Sequence, residues 1–338
     1  MRFAAIVGAG FNADAGPEVG TIQRQSTYGP FEFEESYPLV QELTDLCFPE
    51  GLPPGSDSIE DAMAKAIAEK RYEPLRRLCS KLRRADHYLV PSLLPATGGP
   101  KSRYARFFES FEDVEFISFN YDSFVEAFLF RSGQWYPHDG YGPPVLVSAS
   151  YKVGNDFAPS GRSRCHVYHM HGSLNVCESG WTATSPNAAG IRWLKRKPDT
   201  EFLFEPGSNA DLFFPWTSPP RPVTGFDPVE ARVIAPVPNK AVGLTRKFVV
   251  RARNDAVEAI RKAECILSIG YEFSPADRGT YAPLLDELTA PILVICPNAS
   301  SICDRLRADY ARVSWVPLCS TFADWAEAGF PLDGTRPG

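Results

Sequence analysis

Short apolar runs alternate with longer amphipathic stretches along this chain. Residues 3–7 (FAAIV), 114–118 (VEFIS), 265–270 (CILSIG), 292–296 (ILVIC) and 313–317 (VSWVP) are compact runs bounded by polar residues or by Gly and Pro. That is the pattern of strands buried on both faces. His166 to Met170 predicts another strand, ending at His171-Gly172-Ser173. Helical patterning fills the intervals. A block over about 36–97 contains Ser58-Ile59-Glu60-Asp61, a capping-box start, and Leu75, Leu78 and Leu82 at helical spacing. Further helices are predicted after Asp122, over roughly 244–263 and over about 299–311.

Strands alternating with helices predict an α/β fold with a doubly wound, mostly parallel sheet covered on both faces. Two stretches break the rhythm, about 131–165 and about 176–231, both rich in Pro, Gly and aromatic residues. Irregular segments this long are expected to form a lid or an inserted subdomain rather than free coil. Trp135, Tyr136, Tyr141, Trp193 and Trp216 lie in them and are expected to anchor them on the main domain. Regular order is expected to resume at Arg232-Val233-Ile234-Ala235. The length of 338 residues suits one large domain, 1–338, carrying such an insertion.

Composition narrows the setting. The net charge of -6 gives no overall attraction to nucleic acid, so direct binding to it is not expected. The apolar run before Gly8 is too short for a signal peptide or a bilayer span, and no later run approaches about twenty apolar residues. A cytoplasmic protein without membrane contact is expected. The eight cysteines are dispersed without CxxC spacing, which predicts free thiols rather than a disulfide framework. Arg76, Arg77, Lys81, Arg83 and Arg84 form a basic stretch, read as a solvated helix face or a partner contact, and Lys195-Arg196-Lys197 is similar.

Candidate chemistry gathers at the predicted strand ends. Gly8-Ala9-Gly10 follows the first strand; such a turn lets backbone approach a pyrophosphate, and is equally a tight turn after a core strand. The full GxGxxG pattern is absent, since position 13 is Ala. Asn120-Tyr121-Asp122 offers an amide and a carboxylate for ribose and carboxamide groups, or an Asx turn capping the next helix. His169 and His171 share a face if their strand continues that far. With Cys165, His166 and Cys177 nearby they have no standard zinc spacing, so no metal is expected. Gly270-Tyr271-Glu272-Phe273-Ser274, with Asp277 beyond, and Cys296-Pro297-Asn298 follow two further strands.

Taken in order, these elements resemble the sirtuins, and most closely the divergent bacterial sirtuin-like domains of anti-phage defence. Those domains show a TNYD-like strand end, an HG, a P-x-x-K-like stretch and a GYS-x-x-D-like loop. This chain has Phe119-Asn120-Tyr121-Asp122, His171-Gly172, Pro236-Val237-Pro238-Asn239-Lys240 and Gly270-Tyr271-Glu272-Phe273-Ser274-Pro275-Ala276-Asp277. The resemblance implies a sirtuin-like Rossmann variant with NAD as its substrate. Asn120 would hold the nicotinamide ribose, Asp122 would help fix the carboxamide, and His171 would be the base or ribose-orienting group. Gly8, Ala9 and Gly10 would approach the pyrophosphate, with Asn12 among the cofactor-binding residues. Gly270, Tyr271 and Asn298 would serve the adenosine side.

Three departures bear on the reaction. Protein-deacylating sirtuins have Gln where this chain has Phe119, an Asp-Phe-Arg after the first glycines, and a four-cysteine zinc module after the HG. Here only Cys177 lies between Gly172 and Cys265. The expected activity is therefore NAD glycohydrolysis, giving nicotinamide and ADP-ribose or cyclic ADP-ribose, in an NAD-depleting effector of prokaryotic defence. Nicotinamide leaves readily because it is cationic on ribose, so stabilising an oxocarbenium-like transition state is the main task. With no second sensor domain recognisable, a homo-oligomer or an activating partner chain is expected. The alternatives are an NAD-dependent deacylase or ADP-ribosyltransferase, and a non-catalytic NAD-binding scaffold.

Overall fold

The computed structural model describes residues 1–26, 29–94, 100–147, 162–178, 202–204, 210–213, 247–286 and 288–332. Strand β1 (Phe3–Val7) runs into two short helices, α1 (Ala9–Asn12) and α2 (Ala15–Val19), then a hairpin of β2 (Thr21–Ser26) and β3 (Gly29–Glu34). Helices α3 (Val40–Cys47), α4 (Ile59–Ala68), α5 (Glu73–Leu93) and α6 (Arg103–Ser110) follow. Next come β4 (Glu115–Ser118), α7 (Phe124–Arg131), β5 (Val145–Val147), β6 (Val167–His169), β7 (Val176–Glu178), β8 (Phe202–Phe204) and α8 (Ala210–Phe213). The last part holds α9 (Lys247–Arg261), β9 (Cys265–Ile269), a 3-10 turn (Pro275–Asp277), α10 (Arg278–Leu285), β10 (Ile292–Ile295), α11 (Ala299–Asp309), β11 (Trp315–Cys319) and α12 (Phe322–Glu327).

The main sheet has six strands in the order β11-β10-β9-β1-β4-β6, all parallel. From β6 to β11 they run third, second, first, fourth, fifth and sixth along the chain. This is the Rossmann-type order, with its switch point between β1 and β9. Alternate residues serve opposite faces, as the strand period requires. Ala5 and Val7 join a core with Phe107, Phe124 and Phe322, whereas Ala4 and Ile6 join one with Ala256, Leu284 and Ile302. Helices α6, α7 and α12 therefore cover one face, and α9, α10 and α11 the other.

Local signals explain most element ends. Ser58 caps α4 by accepting from the Asp61 amide at 3.1 Å, as the capping-box reading predicts. Strand β11 starts at Trp315, not at residue 313, because the Val313 amide still closes the turn after α11 onto Tyr310 at 3.1 Å. Pro317 is tolerated because β11 lies at the sheet edge, where a missing N–H costs little. Two features go beyond the sequence reading. The β2–β3 hairpin is an antiparallel pair that the apolar pattern does not reveal. The segments expected to be irregular contribute β5, β7 and β8 to a three-stranded sheet in the order β5-β8-β7.

That small sheet is anchored by aromatic packing. Trp135 and Tyr141 are fully buried, 5.0 Å apart between ring centroids, and Phe213 lies 6.0 Å from Trp135. Trp193, Trp216, residues 232–235, residues 236–240 and Lys195-Arg196-Lys197 lie outside the described residues. The basic stretch on α5 is partly internal: Lys81 and Arg84 both pair with the buried carboxylate of Glu35. Those cysteines whose side chains are described are free thiols. Among the described residues no helix is long and apolar enough to cross a membrane.

Candidate active site at the strand ends

The turns after β1 and β9 meet at the switch point. Gly8 donates to the Ile269 carbonyl at 3.0 Å and Gly10 to the Gly270 carbonyl at 3.1 Å. A Cβ on Gly8 would lie 2.6 Å from the Gly270 oxygen, and one on Gly10 2.8 Å from the Gly270 Cα. Gly270 has φ +62°, and a Cβ there would sit 2.1 Å from the Phe11 nitrogen. Glycine is thus required at all three positions by the contact between the turns. The Gly8 and Gly10 amides are already committed, so an approaching pyrophosphate would meet the exposed Ala9 side of the turn. Phe11 pins the turn from below, fully buried at 5.5 Å from Tyr104 and 5.0 Å from Phe322.

Asn120 closes this turn from the neighbouring strand end. Its Nδ2 donates to the Gly8 carbonyl at 3.1 Å. Since that carbonyl only accepts, the amide orientation is settled by chemistry, and Oδ1 is left as the acceptor atom of the side chain. Asp122 performs the Asx-turn role open to it, with Oδ1 accepting from the Phe124 amide at 3.2 Å at the start of α7. Burial pushes its carboxyl up to about 6, against that amide, which favours the charged form; Glu126 raises it further. Asn12 is 1% exposed and lies near enough to Asp122 to favour its ionised state, yet neither amide atom has a hydrogen-bond partner.

His171 is held in a chain of aromatic and acidic contacts. Its Nε2 lies 3.2 Å from Oδ1 of Asp277, whose Oδ2 accepts from the Tyr271 hydroxyl at 3.3 Å. With the proton on Nε2, Nδ1 is the basic nitrogen of the ring. Phe119 stacks on Tyr271 at 3.9 Å and meets the His171 ring edge-on at 5.3 Å. Tyr121 lies 6.0 Å from the same ring. The neighbours of Asn120 on both sides therefore pack near His171, which follows the adjacent strand β6. Phe119 fills the wall between His171 and Tyr271. Burial, then Asp277, holds the Tyr271 phenol above its usual range, so Tyr271 stays a neutral donor to Asp277.

A polar layer that sequence reasoning missed lies beneath. Asp86, wholly buried on α5, accepts from the Tyr37 hydroxyl at 2.6 Å and the Ser123 amide at 2.9 Å. Burial and then Asp122 raise its carboxyl well above the usual range, against those two donors. His169 points into this layer, with Nε2 2.7 Å from Glu126. Burial depresses its ring, but Glu126, the Asn120 carbonyl and Asp122 outweigh it, and the net shift is upward. His169 and His171 thus serve different carboxylates, and they do not converge on a shared ligand. The signal for Asp86 was a carboxylate inside the apolar stripe of Leu82, Ala85 and Leu89.

The remaining expected residues lie further out. Asn298 is exposed at the start of α11 and reaches Glu272 at 3.5 Å, on the β10 side of the switch point. A cavity of about 630 Å³ opens at the opposite, N-terminal edge of the sheet, lined by Glu115, His166, Tyr168 and Asp255 among others. Open α/β sheets bind their ligands outside the carboxyl ends of the strands, so this cavity is not the candidate site. Among the described residues no group of three or more His, Cys, Asp or Glu could hold a metal ion.

Fold and site together define a class: a Rossmann-like α/β protein with an amide, a carboxylate-backed imidazole and a glycine-lined turn at its switch point. No protein-family model matches the chain, and no curated protein matches it in sequence.

Proposed function

We propose that the chain binds NAD across the ends of β1, β4 and β9 and cleaves its bond to nicotinamide. The observation that carries this reading is the placement of Asn120 and His171 just after two adjacent strands, β4 and β6. Asn120 has an acceptor oxygen suited to a ribose hydroxyl, and His171 has a ring fixed by Asp277. The reaction asks little more of the protein. The leaving group is activated by its own positive charge, and the transition state spreads that charge over the ribose. The Asp122 carboxylate under the strand end would supply a negative field for it, which water-excluded surroundings strengthen. His171 takes the proton of a ribose hydroxyl or of the attacking water.

The test is incubation of the purified protein with NAD, with the products resolved as nicotinamide, ADP-ribose and cyclic ADP-ribose. Asn120→Ala and His171→Ala are each expected to lower turnover by at least about 10²-fold. Near-normal turnover in both variants would end the assignment. Its use as an NAD-depleting effector of anti-phage defence is proposed from the resemblance to the bacterial sirtuin-like domains. Control by self-assembly or by a partner chain belongs to the same proposal. Strand β7 leaves directly after the His171 loop, where the Leu174 amide bonds the Tyr121 carbonyl at 3.1 Å, so pressure on the small sheet reaches the site. Full turnover per molecule in a monomer verified by light scattering, with nothing added, would exclude such control.

A further inference from the structure

Asn120 is gripped by its main chain as well as by its side chain. Its carbonyl oxygen receives the Ser118 hydroxyl at 3.4 Å and faces Nδ1 of His169 at 3.0 Å. A carbonyl oxygen only accepts, so this Nδ1 carries a proton. The other ring nitrogen lies 2.7 Å from Oε1 of Glu126, which also accepts from the Tyr141 hydroxyl at 3.3 Å. His169 is 0% and Glu126 1% exposed, so water cannot replace either bond. Two arrangements satisfy the Glu126 contact: an imidazolium facing a carboxylate, or a neutral ring accepting from a carboxylic acid. Both keep one proton between Nε2 and Oε1, and both leave Nδ1 a donor. A flipped ring or the other tautomer would strand a buried polar group, at a cost of about 1–3 kcal/mol.

We propose that His169 is a positioning residue for the candidate site: locked by Glu126 as an Nδ1 donor, it ties the Asn120 main chain to helix α7 and so sets where Asn120 Oδ1 points. Its importance for turnover rests on the assignment of Asn120 to ribose binding; the lock itself does not. The geometry closes a short circuit. Asn120 lies two residues after β4, Glu126 lies in the first turn of α7, and His169 ends β6 and joins them from the adjacent strand. The small displacement of a positioned group that loss of such a tie permits is worth about 10²-fold in rate.

Two substitutions separate the two halves of the ring. An asparagine amide nitrogen falls near the place of Nδ1, whereas a glutamine amide nitrogen falls near that of Nε2. His169→Asn therefore keeps the donor to Asn120 and gives up Glu126; His169→Gln does the reverse. In the NAD-cleavage assay His169→Gln is expected to lose about 10²-fold in kcat and His169→Asn less than about tenfold. Equal kcat in the two variants, or the reverse order, would overturn the proposal. Nitrogen NMR of the histidine-labelled wild type reads the lock without any turnover. With five histidines in the chain, the His169 signal is assigned by its loss in either variant. A protonated, hydrogen-bonded Nδ1 across neutral pH is expected, and an Nδ1 carrying a lone pair would overturn the lock. If the wild type does not cleave NAD, the functional reading falls, and the nitrogen spectrum alone decides whether the clamp exists.

Discussion

Asp122 offers the sharpest quantitative test of the buried layer. Asp122→Asn keeps an oxygen that can accept from the Phe124 amide and removes the ionisable group. Moving the carboxyl from 3.8 to about 6 on folding corresponds to about 3 kcal/mol between its two protonation states. The sign follows from the direction. The folded protein holds this proton more tightly than the unfolded chain, so the contribution is full below pH 3.8 and is lost as pH rises to about 6. The variant has no such dependence at this position. An asparagine also brings an N–H₂ that needs partners, so the absolute offset between the two proteins is not the quantity to test. The change in that offset with pH is. Urea unfolding of both proteins at several pH values from about 4 to about 7 gives stabilities by linear extrapolation. The stability of Asp122→Asn relative to wild type is expected to grow by about 2.4 kcal/mol over that interval, most of the full span. Exposed carboxylates titrate alike in both proteins and cancel. A gap constant to within about 0.5 kcal/mol would refute the claim that burial holds this carboxyl up.

Two further outcomes follow from the same geometry. Gly270→Ala puts a methyl group 2.1 Å from the Phe11 nitrogen at φ +62°, and a loss of more than about 3 kcal/mol is expected; a wild-type melting temperature would contradict it. Asp277→Asn leaves His171 without its orienting carboxylate, with an expected fall of about 10- to 100-fold in NAD turnover and a displaced pH profile; an unchanged profile would show that Asp277 does not act on the ring.

The sheet was readable because its strands are covered on both faces and appear as unbroken apolar runs: FAAIV, CILSI and ILVI are each buried almost throughout. The hairpin was not, because it packs on one side only. TIQRQS and GPFEFE hold few buried positions, so neither periodicity dominates. The placement of Asn120, Asp122 and His171 just beyond strand ends was legible because the strands before them are apolar runs closed by polar residues. Asp86 and Glu126 were not. Their partners are distant in sequence, Tyr37 for one and His169 for the other, and no local pattern names them. Phe119 shows a related limit. As a departure from a motif it reads as a loss, and its stack on Tyr271 is visible only in three dimensions.

The contact among Gly8, Gly10 and Gly270 changes how mutational tolerance at this site is to be interpreted. A saturation scan selecting only for abundance, in cells where NAD cleavage is irrelevant, would still find these positions closed to every other residue. Each added Cβ strikes backbone, and backbone cannot rotate away as a side chain can. Intolerance at the three glycines therefore carries no information about a bound phosphate. The positions that can report on a ligand are those where the scaffold is indifferent, such as exposed Ala9. A selection that separates abundance from activity would locate the ligand by the residues that lose only the second.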